Sequence, residues 1–419
     1  MKKKGLGPIL LSGLMIGPIL GSGVILFPPL VYQRIGVHAV WAWIVIMILG
    51  GFFAAIFAEL TLAFPGREGV PKSVRNAFGP SAGQLASNFI MSAVCAGPVA
   101  VLATAAAEIS EACQLPGSSI PAISGLLLIC CLFMLLRNIT AVGKITLISS
   151  SLVALILVLG SIVTVMSGNP EPVPDLRVDF VSFGQSLLLL FWTIVGWELL
   201  GNYSEDVKAP RKTIPRAVFL SVVIISSIYL MTAWAIHCIG GDAPGMKDVV
   251  APLLGGWSAP VLSVMTTLLC MATYLMIVGG VTRLVHSLAR AERLPAALAG
   301  ENKNGAPVSA VFIYGFVHLS VIVMLQFNVV SLEQIIAFAN VFFLSNALLC
   351  ILAAMYLLDS ILLRIFGGIL CAGFSTLLFF SPPWILGLMV FEVIITLCCG
   401  KICLRPTDSL GTPTAPPLR

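Results

Sequence analysis

Residues 8–29 read PILLSGLMIGPILGSGVILFPP, an apolar run long enough to cross a bilayer that glycine interrupts at Gly21 and Gly23. A second run, FVSFGQSLLLLFWTIVGWELLGNY at residues 180–203, is interrupted by glycine from Gly196 onward. In a membrane, the backbone leaves helical geometry only where protein or a water-filled cavity satisfies its N–H and C=O groups. The two runs therefore predict membrane helices that unwind beside a buried site.

Composition places the rest of the chain in the same class. Of the 419 residues, 58% are apolar and 10% are charged, whereas a soluble domain carries about 25% charged residues. Most of the chain cannot face water, so we expect an all-α polytopic membrane protein that forms one domain over residues 1–419, with the lipid bilayer as a partner. The net charge of +5 is too small to indicate a nucleic-acid partner.

Apolar runs of about 20 residues predict about twelve transmembrane helices. They lie at residues 7–32, 37–63, 84–110, 119–137, 143–167, 180–203, 216–239, 258–288, 308–327, 332–356, 361–380 and 384–403. With the N-terminus inside, 20 of the 23 Lys and Arg residues fall on the inner side, and only Arg34, Arg177 and Lys247 fall outside. Cytoplasmic loops carry such an excess, so both termini are expected in the cytoplasm. Residues 404–419, rich in Pro and Thr, predict a disordered tail.

The two glycine breaks fall in predicted spans one and six. Spans one to five, within residues 1–170, and spans six to ten, within residues 178–357, would then form two repeats that each open with a broken helix. Because five is odd, the second repeat enters the membrane from the opposite side. The pattern predicts a LeuT-like 5+5 inverted repeat with broken helices 1 and 6, followed by two additional helices within residues 358–403.

Four motifs in register resemble one family of membrane proteins. They are LGSGV at residues 20–24, AFGP at residues 77–80, FWTIVGWE with KAPR at residues 191–198 and 208–211, and TR at residues 282–283. They are similar to segments of the amino acid–polyamine–organocation superfamily, and within it the chain most resembles bacterial exporters of methionine and branched-chain amino acids. The resemblance implies an amino-acid exporter or antiporter in the bacterial inner membrane.

The chemistry of the breaks predicts what they bind. Unwinding at Gly21, Ser22 and Gly23 frees the N–H groups that begin the next half-helix, including that of Val24, and this positive helix end attracts a carboxylate. The carbonyl groups ahead of Gly196 present partial negative charge to an ammonium group. A carboxylate site close to an ammonium site predicts an α-amino acid as the substrate.

Several side chains, at the second break and on spans eight and ten, are candidates for specific roles. Trp192 and Val195 precede Gly196, and we expect them to line the substrate site together with Tyr274 of span eight. The resemblance implies that Trp192 gates the site and that Glu198 takes part in pH-dependent gating. The alternatives are a packed core tryptophan and a glutamate whose hydrogen bond ties the broken segment together. Phe338 and Asn340 of span ten are weaker pocket candidates.

Selectivity and coupling follow from what the breaks lack. No Asp, Lys or Arg lies near the middle of the candidate spans, so we expect a neutral, apolar side chain on the substrate. Span five carries only Lys144, at its start, and not the mid-span lysine of some superfamily members. We therefore favour coupling to protons, or exchange, over sodium.

No metal-ligand spacing or cofactor motif occurs, and no convergent catalytic set indicates an enzyme. The oligomeric state is left open.

Two other functions remain alternatives at this point. An importer or exchanger with a broader range of small neutral amino acids fits the same breaks, because the direction of transport is not encoded in them. A channel would require a continuous polar stripe along the spans, and the sequence contains none.

Overall fold

The computed structural model describes residues 7–65, 70–137, 140–168, 179–198, 200, 204, 207–241 and 243–403. Within these ranges the regular structure is helical, in α-helices joined by turns and short 3₁₀ segments. The helices are α1 (Pro8–Leu20), α2 (Gly23–Ile35), α3 (Ala39–Ala63), α4 (Val70–Phe78), α5 (Pro80–Ala112), α6 (Ile120–Leu135), α7 (Thr140–Ser167), α8 (Phe180–Leu190), α9 (Pro210–Ile239), α10 (Met246–Leu254), α11 (Ser258–Arg290), α12 (Val308–Gln326), α13 (Leu332–Leu357), α14 (Ile361–Phe379) and α15 (Pro383–Cys403). The predicted tail at 404–419, the outer cation Arg177 and the end of the second break at Gly201 lie outside the described residues.

Helix lengths confirm a multi-pass all-helical membrane protein. Eight helical segments of the described chain are long and apolar enough to cross a membrane. Four shorter apolar helices, at Pro8–Leu20, Ser151–Ser167, Phe180–Ile194 and Pro383–Cys398, fall at predicted spans one, five, six and twelve. The count of twelve spans and the 5+5 repeat remain predictions.

Two short helices, α4 and α10, were not expected from the apolar pattern. Each has nine residues, too few to span a bilayer, and each carries charged side chains. At the start of α10, Asp248 accepts a hydrogen bond from the N–H of Gly245 at 2.8 Å, which caps the helix. Short helices with charged side chains leave no long apolar run in the sequence.

The helices pack around a buried centre formed by α5 and α13. In the most apolar stretch of each of these two helices, 78% of the residues are buried, whereas in α6 and α14 the share is 22%. Helix α5 packs against α11 and α13, while α9 packs against α1, α2 and α3. Large exposed apolar side chains lie on the rim helices, as expected where lipid replaces water; examples are Leu126, Phe312, Phe316 and Phe379.

Two ion pairs test the predicted topology at one end of the bundle. Arg34, at the end of α2, pairs with Glu333 at the start of α13 at 2.8 Å. Lys247 of α10 pairs with Glu111, near the end of α5, at 3.2 Å. The charge pattern predicts that all four residues lie on the outer side. Each pair joins two ends that the charge pattern places on the same side, and the orientation of the chain in the membrane remains a prediction.

Candidate functional site

The first helix break lies at the predicted glycines. Helix α1 ends at Leu20, and Gly21 adopts a φ of 41°, a left-handed conformation that glycine tolerates best. Helix α2 begins at Gly23 after Ser22, whose side chain makes no capping hydrogen bond. The first N–H groups of α2 have no intrahelical carbonyl to bond. They form a buried, positively polarised helix end, and the side chain of Val24 in its first turn is fully buried.

Tyr229 of α9 closes the other side of this break. Its hydroxyl lies 3.2 Å from the carbonyl oxygen of Ile19 and 3.1 Å from that of Leu20, to which it donates. These carbonyls lost their helical partners when α1 ended. A Cβ added at Gly23 would lie 2.7 Å from the Tyr229 hydroxyl oxygen, so a larger residue there would have to displace the tyrosine. Tyr229 is not among the residues that the sequence predicts for the site, although its position in an apolar span is a signal for a buried hydrogen bond.

The second break starts earlier than its glycine predicts. Helix α8 ends at Leu190, a 3₁₀ turn covers Phe191–Ile194, and Val195 is extended with ψ 139°. Gly196 follows with φ 123°, which a residue with a side chain rarely adopts. The unwinding is therefore spread over more than one turn ahead of the glycine.

Asn340 of α13 explains where α8 ends. Its Nδ2 donates to the carbonyl oxygen of Leu188 at 2.7 Å and lies 3.4 Å from that of Leu189. The side chain is fully buried, and its Oδ1 has no hydrogen-bond partner within the described structure. Asn340, predicted as a weaker pocket candidate, thus lies at the negatively polarised end of α8.

Glu198 folds back onto the second break. Its Oε2 accepts a hydrogen bond from the N–H of Gly196 at 3.0 Å. The carboxylate thereby satisfies a backbone group that the unwound segment leaves free. This contact is the one expected of a glutamate whose hydrogen bond ties the broken segment together.

The structure brings the two breaks into contact. A Cβ added at Gly196 would lie 2.9 Å from Cγ1 of Ile19, and one added at Gly23 would lie 3.3 Å from Cγ2 of Thr193. Helix α11 also reaches the first break, because a Cβ at Gly21 would lie 3.3 Å from Oγ1 of Thr273. The positive start of α2 and the negative end of α8 are therefore parts of one buried region.

Trp192 lies at the edge of this region, where α5 and α13 meet. It is 8% exposed, and its ring is 6.4 Å from the ring of Phe343 in an edge-on arrangement. A Cβ added at Gly97 of α5 would lie 3.0 Å from the tryptophan ring. The indole is thus held between two central helices, close to the second break.

Tyr274 occupies a different environment from the other predicted site residues. Its hydroxyl lies 2.7 Å from Nδ1 of His318 on α12, and Nε2 of that histidine lies 2.7 Å from the carbonyl oxygen of Val94 on α5. The hydroxyl bonds inside a helix interface and not at the breaks, whereas the neighbouring Thr273 contacts Gly21. The assignment of Tyr274 to substrate binding remains a prediction.

The geometry gives the region a defined chemical character. The start of α2 and the end of α8 meet in this region, and the side chains of Ile19, Val24 and Ile194 around them are apolar and buried. Among the described residues, no group of three or more His, Cys, Asp or Glu side chains is placed to hold a metal ion. A small zwitterion matches the two helix ends, since they offer opposite partial charges a short distance apart.

Comparison with known proteins points to the same class. The family model described as amino acid permease matches residues 6–391. The chain is 27% identical to the L-methionine/branched-chain amino acid exporter of Escherichia coli (strain K12), over 86% of this chain and 88% of the exporter. It is 22% identical to an uncharacterised amino acid permease of Bacillus subtilis (strain 168), over 68% of each chain. It is also 25% identical to the cadaverine/lysine antiporter of Escherichia coli (strain K12), over 66% of this chain and 65% of the antiporter.

Proposed function

The chain belongs to the amino acid permease family and is an amino-acid transporter, and on that premise we propose that it moves neutral, apolar L-amino acids across the bacterial inner membrane by alternating access. We further propose that it works as a secondary active exporter. The observation that carries the proposal is the contact between the two helix breaks, at Gly196 against Ile19 and at Gly23 against Thr193.

The contact between the breaks supports recognition of an α-amino group and an α-carboxylate together. The start of α2, at Gly23 and Val24, would bind the carboxylate through backbone N–H groups. The end of α8 would bind the ammonium through carbonyl oxygens, with the free Oδ1 of Asn340 as a further acceptor near it. Neither end needs a charged side chain, and this leaves the substrate's own side chain to be selected by its surroundings.

Those surroundings favour an apolar substrate side chain. Residues 19–24 read ILGSGV and residues 190–198 read LFWTIVGWE, so Glu198 is the one ionisable residue in the two segments. Its carboxylate bonds to the N–H of Gly196. A lysine-like or glutamate-like substrate would therefore bring an unpaired charge into a buried apolar region, at a cost of several kcal/mol.

The packing of the helices supports a division into a moving part and a scaffold. Helices α1, α2, α3 and α8 contact α9 or one another, whereas α5, α6, α11 and α12 form a second group of mutual contacts. We expect spans one, two, six and seven to rock against the other group around the breaks. The inverted repeat of residues 1–170 and 178–357 would supply the two symmetric ends of this motion.

Export rather than import rests on one relative. The chain matches the L-methionine/branched-chain amino acid exporter of Escherichia coli along most of both chains. Proton coupling through Glu198, with Trp192 as the gate and both termini in the cytoplasm, is part of the same proposal. The 25% identity to an antiporter favours exchange as the second candidate mode.

A thermal-shift screen of the purified protein with the twenty common amino acids tests the substrate class. A ligand that binds the folded state raises the melting temperature by mass action, and about 2.7 kcal/mol of stabilisation is expected at a hundred times Kd. We expect methionine, leucine, isoleucine and valine to stabilise the protein, and lysine, arginine and glutamate to have no effect. Stabilisation by polyamines alone would contradict the amino-acid assignment.

Proteoliposomes loaded with radiolabelled methionine then test direction and coupling. Efflux that accelerates when the pH gradient is imposed in one sense, and not when it is reversed, supports a proton-coupled exporter. Release that requires an amino acid on the opposite side would instead indicate obligatory exchange. Both results leave the substrate assignment intact, so the two parts of the proposal can fail separately.

A further inference from the structure

A surface pocket lies at one end of the bundle, and none of its lining residues belongs to either helix break. It is formed where α6 ends, where α11 approaches its C-terminus and where the loop before α12 turns back. The lining includes Arg137 after the end of α6, Thr282 and Arg283 of α11, and Asn304 and Ala306 of the loop. By the predicted topology, this end of the bundle faces the cytoplasm.

Two arginines give the pocket its charge. Arg137 and Arg283 come from different helical segments, both are exposed, and the lining contains no acidic residue. Among the described residues, neither guanidinium lies within ion-pair distance of a carboxylate, whereas Arg34 and Arg364 each have a carboxylate partner. The two like charges at this pocket repel each other, and an anion bound between them would offset the energy of that repulsion.

The wall of the pocket is held in place by hydrogen bonds. Asn302 and Asn304 both donate through Nδ2 to the carbonyl oxygen of Leu136, at 2.9 and 3.1 Å. The Oδ1 of Asn302 accepts from the N–H groups of Asn304 and Ala306. The loop is thereby fixed to the end of α6, and the residues that line the pocket are preorganised.

The pocket opens beside a surface that faces lipid. The guanidinium of Arg137 lies over the ring of Phe133, 4.8 Å from its centroid, and Phe133 is 58% exposed. Ile129 on the same helix and Phe316 on the adjacent α12 are 64% and 73% exposed. An arginine that rests on a lipid-exposed ring at the end of a span lies at the depth of the phospholipid headgroups.

We propose that this pocket binds a phosphate group through Arg137 and Arg283, and that the phosphate is carried by the headgroup of an anionic phospholipid. Arginine presents paired N–H donors that match phosphate oxygens. Basic pockets between transmembrane helices on the cytoplasmic side bind such headgroups. The acyl chains would cover the exposed faces of α6 and α12, and the bound lipid would bridge α6, α11 and α12. The assignment does not depend on the transported substrate.

The test uses the full-length protein, delipidated in detergent, with lipid binding followed by native mass spectrometry and by thermal shift. The probes are phosphatidylglycerol, phosphatidylcholine and inorganic phosphate. The variants are Arg137→Gln, Arg283→Gln and the double substitution, with Arg290→Gln as a control that removes an exposed charge from the same helix without touching the pocket. We expect phosphatidylglycerol to bind better than phosphatidylcholine, and each pocket substitution to weaken it roughly fivefold.

Each outcome decides the proposal or the source of the phosphate. A preference for phosphatidylglycerol that survives in the double variant, or that Arg290→Gln reduces as strongly, overturns the assignment. Stabilisation by inorganic phosphate that the double variant lacks, without any preference among lipids, keeps the phosphate site but rules out the lipid as its source. If the double variant fails to fold, the two single variants give the same comparison, and Arg137→Lys and Arg283→Lys test whether positive charge without the guanidinium geometry is enough for binding.

Discussion

The Oε2 atom of Glu198 accepts a hydrogen bond from the backbone N–H of Gly196 at 3.0 Å, inside the segment where the second membrane helix has come apart. The N–H cannot bond to a carbonyl four residues back, because Gly196 with φ 123° has left helical geometry. A buried N–H without a partner costs about 1–3 kcal/mol. One acidic side chain thus stabilises the open backbone and places an ionisable group beside the proposed substrate site.

Substitution of Glu198 separates these two roles. Glu198→Gln keeps an acceptor oxygen for the N–H of Gly196, so we expect the protein to fold and to bind methionine within about threefold of the parent. If Glu198 carries the coupled proton, transport by this variant loses its dependence on pH between pH 5 and 8. Glu198→Ala should lower the free energy of unfolding by about 1–3 kcal/mol, because the N–H is left unpaired.

The control for this experiment is Glu392→Gln, which removes the acid on α15 that accepts a hydrogen bond from Ser92 of α5 at 2.6 Å. Neither Glu392 nor Ser92 belongs to a helix break, and the pH profile of the Glu392→Gln variant should match that of the parent. The measurement is methionine transport in proteoliposomes across pH. A Glu198→Gln profile identical to that of the parent would limit Glu198 to the hydrogen bond and remove it from proton coupling.

The existence of both breaks and the place of the first could be predicted from the sequence, because glycine weakens a helix locally inside an apolar run that would otherwise continue. The prediction placed the first break at Gly21, and the structure ends α1 at the preceding residue. Helix limits elsewhere also follow from apolar length, since α12 spans Val308–Gln326 and the predicted span is 308–327. These features depend on local sequence and on the length needed to cross lipid.

The partners of the breaks could not be predicted, because they depend on which distant residues meet in space. Tyr229 and Asn340 reach the exposed carbonyls from α9 and α13, and nothing in the neighbouring sequence of the breaks specifies them. The early end of α8 has the same origin, because Asn340 stabilises the carbonyl of Leu188 ahead of Gly196. The direction of the Tyr274 hydroxyl likewise depends on His318, which lies on another helix.

Close packing at Gly23 gives a second prediction. Gly23→Ala would place a methyl group 2.7 Å from the hydroxyl oxygen of Tyr229, and overpacking of this kind costs about 1–3 kcal/mol. We expect this variant to insert into the membrane but to lose most of its methionine transport. Tyr229→Phe removes the obstructing oxygen, so the double variant should regain part of the activity and of the melting temperature.

The matched control for that pair is Gly280→Ala on α11, where an added Cβ meets no atom within 4 Å. It should leave transport and melting temperature close to those of the parent. If Gly23→Ala behaves like Gly280→Ala, the close approach of Tyr229 does not restrict the first break.

Asn340 provides a third prediction, on the ammonium side of the site. Asn340→Ala removes the donor to the carbonyl of Leu188 and also the free Oδ1, so the KM for methionine should rise about tenfold, the equivalent of one lost hydrogen bond to a charged group. Asn346→Ala on the same buried helix is the control, because the Oδ1 of Asn346 has only a long contact with Cys350, at 3.8 Å. Equal KM values in the two variants would exclude Asn340 from substrate recognition.

A fourth prediction concerns the scaffold and starts from a proline. In α5, the carbonyl of Val94 would normally accept from the N–H of residue 98, but Pro98 has none. The Nε2 of His318 lies 2.7 Å from this carbonyl and must carry the proton, so Nδ1 accepts from the hydroxyl of Tyr274 at 2.7 Å. One neutral histidine thereby satisfies a carbonyl that the proline leaves free and joins α5, α11 and α12.

His318→Phe should then lower the free energy of unfolding by about 2–5 kcal/mol, because two buried polar groups lose their partner. Pro98→Ala restores an N–H that can donate to the carbonyl of Val94. In the double variant with His318→Phe, we expect it to recover at least about 1 kcal/mol of the free energy of unfolding, and a double-mutant cycle resolves a coupling of this size. Adding Tyr274→Phe to the double variant removes the second unpaired group, the hydroxyl of Tyr274, and should recover more of the free energy of unfolding. The measurement is SDS-induced unfolding of the purified protein. Strict additivity of Pro98→Ala and His318→Phe would show that the histidine does not act through the carbonyl of Val94.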